Sequence, residues 1–198
     1  MRTIEFWYDY ASHYSYLSAM RIEALAEAHN VKVAWRPFLL GPIFKTQGWD
    51  SSPFQIYPIK GMYTRRDVER IAESRGLTFK MPDPFPQNSM KAARIGIVGQ
   101  QEGWLPAFTK AVFLAEFRDL KQIGDTAVLT SILDGLGLES ARILAQTEET
   151  EIKQRLRAQT EEAVAKKIFG APMFVTEDHE IFWGDDRLDQ AMVWRARH

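Results

Sequence analysis

A strand that runs directly into a helix is the strongest constraint this chain places on its own fold. Thr3–Tyr8, with the apolar run Ile4-Glu5-Phe6-Trp7-Tyr8, reads as a strand, and Tyr16 to His29 has the apolar spacing of a helix. The join is Tyr8-Asp9-Tyr10-Ala11-Ser12-His13-Tyr14-Ser15-Tyr16-Leu17. A hydroxyl, that of Ser12, sits where unpaired backbone N–H groups and the positive end of a helix dipole converge. Such a place binds anions and lowers the pKa of a thiol brought to it. The chain has no cysteine, so a thiol at this turn comes from a ligand. The same absence excludes disulfides, thiolate metal sites and dithiol redox chemistry, and it points to a cytoplasmic setting.

The rest of the chain divides into two α/β ends and a helical middle. Strand Thr3–Tyr8, helix His13–His29 and strand Val31–Pro37 form a βαβ unit. Leu39 to Ser51 is punctuated by Gly and Pro and reads as loop or short helix. Ile59–Arg75 is an amphipathic helix stopped by Gly76. Met81-Pro82-Asp83-Pro84-Phe85-Pro86 excludes regular helix and central strand. Asn88 or Ser89 then caps a helix to about Gly99, and helical patterns follow at Pro106–Glu116, Asp125–Leu133, Glu139–Gln146 and Glu149–Lys167. Met173-Phe174-Val175 and Ile181-Phe182-Trp183 read as a hairpin around the polar turn 177–180, and Gly184-Asp185-Asp186 opens a last helix from Arg187 to about Arg195. With the middle removed, this is the thioredoxin-like order. The expected fold is α/β: residues 1–40 and 168–198 form a discontinuous thioredoxin-like domain, and a helical domain, 41–167, is inserted between the N-terminal βαβ and the C-terminal ββα units.

A net charge of −1, from 25 basic and 26 acidic residues, offers no electrostatic footprint for nucleic acid. No apolar run approaches the ~20 residues that cross a bilayer. The first strand starts so early that no signal peptide is expected. His13, His29, His179 and His198 are scattered and form no helical His-x-x-x-His pair, so no metal site is expected.

Each candidate site residue has a plain reading beside a chemical one. Ser12 is a good N-cap, and its hydroxyl proton is left to point at a thiolate or oxyanion. No Gly-x-Ser-x-Gly elbow is present, and His13, adjacent in sequence, diverges from Ser12, so no hydrolase triad forms. Pro172 in Ala171-Pro172-Met173 suits the first position of a strand. As a cis-proline it would instead leave the Met173 N–H and C=O free to pair with an extended peptide ligand. In Trp183-Gly184-Asp185-Asp186-Arg187, Asp185 or Asp186 caps the last helix, or the segment supplies a carboxylate and a cation that together meet a zwitterion. Lys60, Arg65, Arg66 and Arg70 make a solvated helix face, except that a cation at a helix start such as Lys60 is disfavoured unless an anion meets it. Phe6, Trp7, Tyr8, Tyr10, Tyr14 and Tyr16 are core or pocket wall.

The segment Tyr8 to Leu17 resembles the Phe-Asp-x-x-Ser-Pro-Tyr-Ser-Tyr-Leu signature of 2-hydroxychromene-2-carboxylate isomerases. These are relatives of kappa-class glutathione transferases within the DsbA-like thioredoxin superfamily. Trp35-Arg36-Pro37-Phe38-Leu39-Leu40-Gly41, Lys60-Gly61-Met62-Tyr63 with Asp67-Val68-Glu69-Arg70, and Phe85-Pro86-Gln87-Asn88-Ser89 with Ala93-Arg94 continue the resemblance. Phe169-Gly170-Ala171-Pro172 and Phe182-Trp183-Gly184-Asp185-Asp186-Arg187-Leu188 complete it, in the same order and over nearly the whole chain. Two positions depart: His13 stands where the motif has Pro, and Ser51-Ser52-Pro53 where many relatives have Asn-x-Pro.

The resemblance implies glutathione as cofactor. It implies that Ser12 stabilises the thiolate, that Lys60 meets the glycyl carboxylate, and that Pro172 and Met173 hold the cysteinyl backbone. Asp186 and Arg187 take the γ-glutamyl end, and Ser52 replaces part of an amide's hydrogen bonding. Arg36 and Asn88 are the implied substrate contacts. The implied reaction is isomerisation of 2-hydroxychromene-2-carboxylate or a related aromatic-catabolism intermediate, by reversible thiolate addition in a homodimer. A kappa-type transferase conjugating small electrophiles is the alternative with the same site. A thioredoxin-like binding protein without catalysis is the alternative from another class.

Overall fold

The computed structural model describes residues 2–49 and 52–197; the readings that fall on Ser51 and His198 lie outside them. Strand β1 (Arg2–Tyr8) leads through a four-residue turn into α1 (His13–Ala19), followed by α2 (Ile22–Ala28) and β2 (Val31–Pro37). β1 and β2 are parallel, with Arg2 opposite Val31 and Tyr8 opposite Pro37. The single helix expected over His13–His29 is two helices. Arg21 leaves helical geometry at φ −128°, ψ −13°, and its guanidinium reaches the Asp185 carbonyl at 2.7 Å and the Asp189 carboxylate at 2.6 Å. No Gly or Pro marks this break, so the apolar spacing runs across it unaltered.

The middle of the chain is helical: α3 (Leu40–Thr46), α4 (Pro53–Ile56), α5 (Pro58–Ser74), α6 (Met90–Glu102), α7 (Leu105–Phe117), α8 (Thr126–Gly135), α9 (Ser140–Gln146) and α10 (Thr150–Ala165). Part of the 39–51 segment, read as loop or short helix, is α3. Gly76, at φ +66°, ends the α5 region in a conformation open to glycine. The proline-rich stretch before α6 has no regular structure and holds cis bonds at Asp83–Pro84 and Phe85–Pro86. The Asn88 side chain, rather than that of Ser89, caps α6, its Oδ1 accepting the Met90 N–H at 3.0 Å.

β3 (Met173–Thr176) and β4 (Ile181–Trp183) form the expected hairpin, and a 3-10 turn over Asp185–Arg187 leads to α11 (Leu188–Arg197). The sheet order is β2-β1-β3-β4, with β3 antiparallel to both neighbours.

β1 distributes its side chains to two layers, as the two-residue period of a strand requires. Ile4, Phe6 and Tyr8 enter the larger core, which continues through Val68, Ala92, Phe108, Phe113 and Phe117 of the helical middle. Trp7 points the other way and packs with Phe38, Ile43, Ala163, Met173 and Val175. Buried aromatic hydroxyls need partners. Tyr8 and Tyr10 both find Thr109 Oγ1 on α7, at 2.7 and 3.0 Å. Among the described residues no helix is long and apolar enough to cross a membrane, and no group of three or more His, Asp or Glu is placed to hold a metal.

Candidate active site

The turn between β1 and α1 is built by Asp9. Its Oδ1 accepts the Ala11 N–H at 3.0 Å, and its backbone oxygen accepts the Ser12 N–H at 3.0 Å. Oδ2 accepts the Leu40 N–H at 2.8 Å, which ties the start of α3 to the same turn. Burial raises the Asp9 pKa, and the N–H groups of Leu40 and Ala11 oppose that rise. Ser12 caps α1: its backbone is extended and its Oγ accepts the Ser15 N–H at 3.2 Å. The hydroxyl proton, expected to be free, is donated to the carbonyl oxygen of Ala171 at 3.2 Å. The sequence pattern concealed this partner because it lies 159 residues away.

Ser12 and Ala171 stand at the floor of a cavity of about 600 Å³. Its walls come from the β1–α1 turn, α3, the start of α4 and α5, the segment before α6, and the segment before β3. Phe44, Trp49, Phe54, Phe85 and Trp183 contribute aromatic rings to them. Gly170 permits close packing here, since a Cβ at that position would lie 2.6 Å from Trp183 Nε1. Lys60 is on the wall, in the first turn of α5, with Nζ 5.0 Å from the centre of the Tyr57 ring and no ion pair among the described residues. Ser52 is also on the wall, its Oγ buried without a partner among the described residues. Asn88 reaches the wall too, while its side chain serves the α6 cap.

Other expected residues lie elsewhere. Arg36 does not line the cavity: its guanidinium pairs with Glu162 on α10 and lies over the Trp7 ring at 4.7 Å. Alternation along β2 and the Glu162 charge carry it to that layer. Met173 is fully buried in β3, opposite Trp7 of β1 and Trp183 of β4, so it has no open strand edge to offer. Ala171, one residue before the proline, is the one that faces the cavity. The Ala171–Pro172 bond is cis, and the Pro172 carbonyl accepts the Gly184 N–H at 3.0 Å.

The two adjacent aspartates have separated. Asp185 is buried and holds Arg75 at 2.7 Å, Ser18 at 2.9 Å and Arg21 at 3.4 Å. Asp186 and Arg187 are 71% and 56% exposed, 3.7 Å apart, and outside the cavity lining. Burial, followed by the Asp67 hydrogen bond, pushes the Tyr14 phenol up, and the Asp186 charge adds to it. That places Asp186 within electrostatic reach of a residue on the cavity wall.

Sequence reasoning missed the Ala171 carbonyl, whose signal is its place before Pro172, and the aromatic walls from Trp49, Phe54 and Phe85. It also missed Glu116 on α7. Both Glu116 oxygens are buried without partners among the described residues, and burial, reinforced by the Asp9 charge, raises its pKa well above 4.5. Nothing in the local pattern separates Glu116 from an ordinary solvated glutamate.

Chemically, the site offers a hydroxyl and an amide carbonyl side by side, a cation at one wall and an apolar interior. Among the described residues no hydrogen bond joins Ser12 to His13. The arrangement suits holding a reactive ligand more than attacking one.

The sequence matches the DSBA-like thioredoxin domain family over residues 3–192. It is 27% identical to a 2-hydroxychromene-2-carboxylate isomerase of Sphingobium xenophagum over 195 residues, covering 95% of each chain. It is 23% identical to glutathione S-transferase kappa 2 of Caenorhabditis elegans, covering 98% of this chain and 92% of that one. A solved structure of 2-hydroxychromene-2-carboxylate isomerase superposes with a TM-score of 0.89 at 22% identity, over 98% of this chain and 95% of the other.

Proposed function

Because the chain belongs to the DsbA-like thioredoxin domain family, we propose that it is a glutathione-dependent isomerase of 2-hydroxychromene-2-carboxylate or a related aromatic-catabolism acid. The observation that carries this reading is the Ser12 hydroxyl at the floor of an aromatic cavity, in a chain with no cysteine of its own. The curated relatives named above support it, since both an isomerase and a kappa transferase match along almost the whole chain.

The residues present fit glutathione. Among the described residues, Ser52 carries an orphaned buried hydroxyl on the wall, Lys60 a cation with no ion pair, and Ala171 a carbonyl whose present partner is a rotatable hydroxyl. Glutathione supplies, when bound, the nucleophilic thiol. In this reading Ser12 turns its O–H from the Ala171 carbonyl to the sulfur and stabilises the anion. A hydrogen bond to a charged group is worth about 1.5–3 kcal/mol. Since a pKa unit is about 1.4 kcal/mol, that alone lowers a thiol pKa by roughly one to two units. The Ala171 carbonyl, released, accepts a peptide N–H, with Pro172 fixing the segment. Lys60 binds the glycyl carboxylate, and Asp186 and Arg187 take the γ-glutamyl end at the rim. Phe44, Phe54 and Phe85 exclude water around the reacting atoms, and Asn88 remains a substrate contact. A homodimer in the cytoplasm belongs to the same reading.

The test is a thermal shift followed by a crystal soak. Glutathione at 100 times its Kd adds about 2.7 kcal/mol of stability, and the soaked sulfur is expected beside Ser12 Oγ. An unmoved melting curve, or a sulfur elsewhere, overturns the reading and favours a binding protein without this chemistry. Product analysis separates isomerase from transferase: an isomerase leaves free thiol unchanged, whereas a transferase consumes it with an electrophile.

A further inference from the structure

His13, next to Ser12, stands on the cavity wall inside a box of rings. Tyr14 lies at 4.8 Å, Phe85 at 5.1 Å and Phe54 at 5.4 Å, with Phe79 behind at 6.5 Å. The residue is 1% exposed, and Nε2 is buried without a hydrogen-bond partner among the described residues. Packing alone does not account for an imidazole here. An apolar side chain would fill the box and leave no nitrogen unpaired, an arrangement that folded proteins avoid.

Ser52 presents the second unpaired polar atom of this wall, its Oγ also buried. Phe54, two residues further on, is the ring that meets His13 edge-on, and His13, Ser52 and Phe54 all line the same cavity. The ring box keeps His13 neutral: burial lowers its pKa to about 3, against a weaker opposing pull from Asp67. A neutral imidazole has one donor nitrogen and one acceptor nitrogen, and a serine hydroxyl both gives and takes.

We infer that His13 and Ser52 form a recognition subsite for an un-ionised hydroxyl carried on an aromatic ligand. This rests on the proposed function and names a determinant of which molecule is handled beside glutathione. A hydroxyl donates and accepts at once, which matches the hydrogen-bonding capacity of both orphaned groups. A carboxylate or phenolate only accepts, and would bring a charge into a wall of rings. The rings of Phe54 and Phe85 supply the apolar faces on which the ligand's own ring stacks.

Calorimetric titration of 1-naphthol against 1-methoxynaphthalene tests this, with and without saturating glutathione. The wild type is expected to bind the naphthol about tenfold more tightly, as a site built for a hydroxyl does. The preference should fall to about twofold or less in His13→Phe. In the wild type the histidine ring ¹⁵N resonances, with that of His13 assigned by its loss in the variant, should show His13 moving with naphthol and staying still with the ether. Equal affinities, no naphthol binding at millimolar concentration, or a still His13 resonance overturns the inference, the last leaving a buried water as the only occupant. Should His13→Phe not fold, assignment through the neighbouring ring contacts in the wild type still gives the resonance result. Glutathione failing to bind would defeat the proposed function and leave the naphthol arm fully readable.

Discussion

Ser12 Oγ is shared between the two sides of the cavity floor: it receives the Ser15 N–H and donates to the Ala171 carbonyl, each at 3.2 Å. One atom thus caps a helix and latches a loop that arrives from the far end of the sequence. Replacing Ser12 by Ala therefore has two separable effects. Loss of the cap should lower stability by about 0.5–2 kcal/mol. Loss of the charged hydrogen bond should cut turnover by roughly 10- to 100-fold and raise the pKa of bound glutathione, read by thiolate absorbance. A variant with normal turnover and an unaltered thiol pKa removes Ser12 from the chemistry.

Lys60 faces two opposed demands. A cation in the first turn of a helix is unfavourable by about 0.3–1 kcal/mol. Lys60→Gln should therefore leave the melting temperature unchanged or slightly higher while weakening glutathione about tenfold or more. Calorimetry and thermal denaturation on the same sample check both signs. A variant that loses stability and keeps its glutathione affinity contradicts the assignment.

Asp185 and Asp186 are neighbours with opposite work. Asp185 is the buried anchor of Arg21 and Arg75. Asp185→Ala should destabilise the fold by about 3 kcal/mol, the lower end of what removal of one partner of a buried pair costs, because both arginines keep some solvent. Asp186→Ala should stay within about 0.5 kcal/mol of wild type, as exposed substitutions do. Its expected defect is in glutathione affinity. Urea titrations of the two variants at equal ionic strength distinguish them.

Glu116 makes stability depend on pH in an unusual direction. Its carboxyl pKa is raised well above 4.5, so the folded chain holds this proton to a higher pH than the unfolded chain does. Its contribution is whole below the unfolded value and is lost as pH rises toward the folded one. Glu116→Leu should thus be more stable than wild type near neutrality, by about 1–3 kcal/mol, with the gap closing toward pH 4. Denaturation midpoints of both proteins across this range give the answer; a gap that widens on acidification would falsify it.

What the sequence disclosed and what it withheld divide along physical lines. The strands, their order and most helices follow from periodicity and from Gly76 and the 82–86 prolines, which act locally. The break at Arg21 escaped because its cause, the pull of Asp185 and Asp189, comes from the other end of the chain. The cavity residues Ser12, Ser52, Lys60 and Asn88 were legible from motif resemblance, and the structure brings them to one cavity. Arg36 and Met173 were misplaced for a common reason. A motif says that a residue recurs, but only sheet neighbours decide which layer its side chain joins or whether its backbone is free.

The two carboxylate oxygens of Asp9 bind different pieces of chain, one the turn that carries Ser12 and the other the first residue of α3. Those pieces consequently travel as a unit. A substitution that repositions Phe44 through α3 will be felt at the hydroxyl, and one that reshapes the turn will be felt at the opposite wall. Tuning what this protein accepts and tuning how fast it reacts are coupled problems, joined through a single side chain.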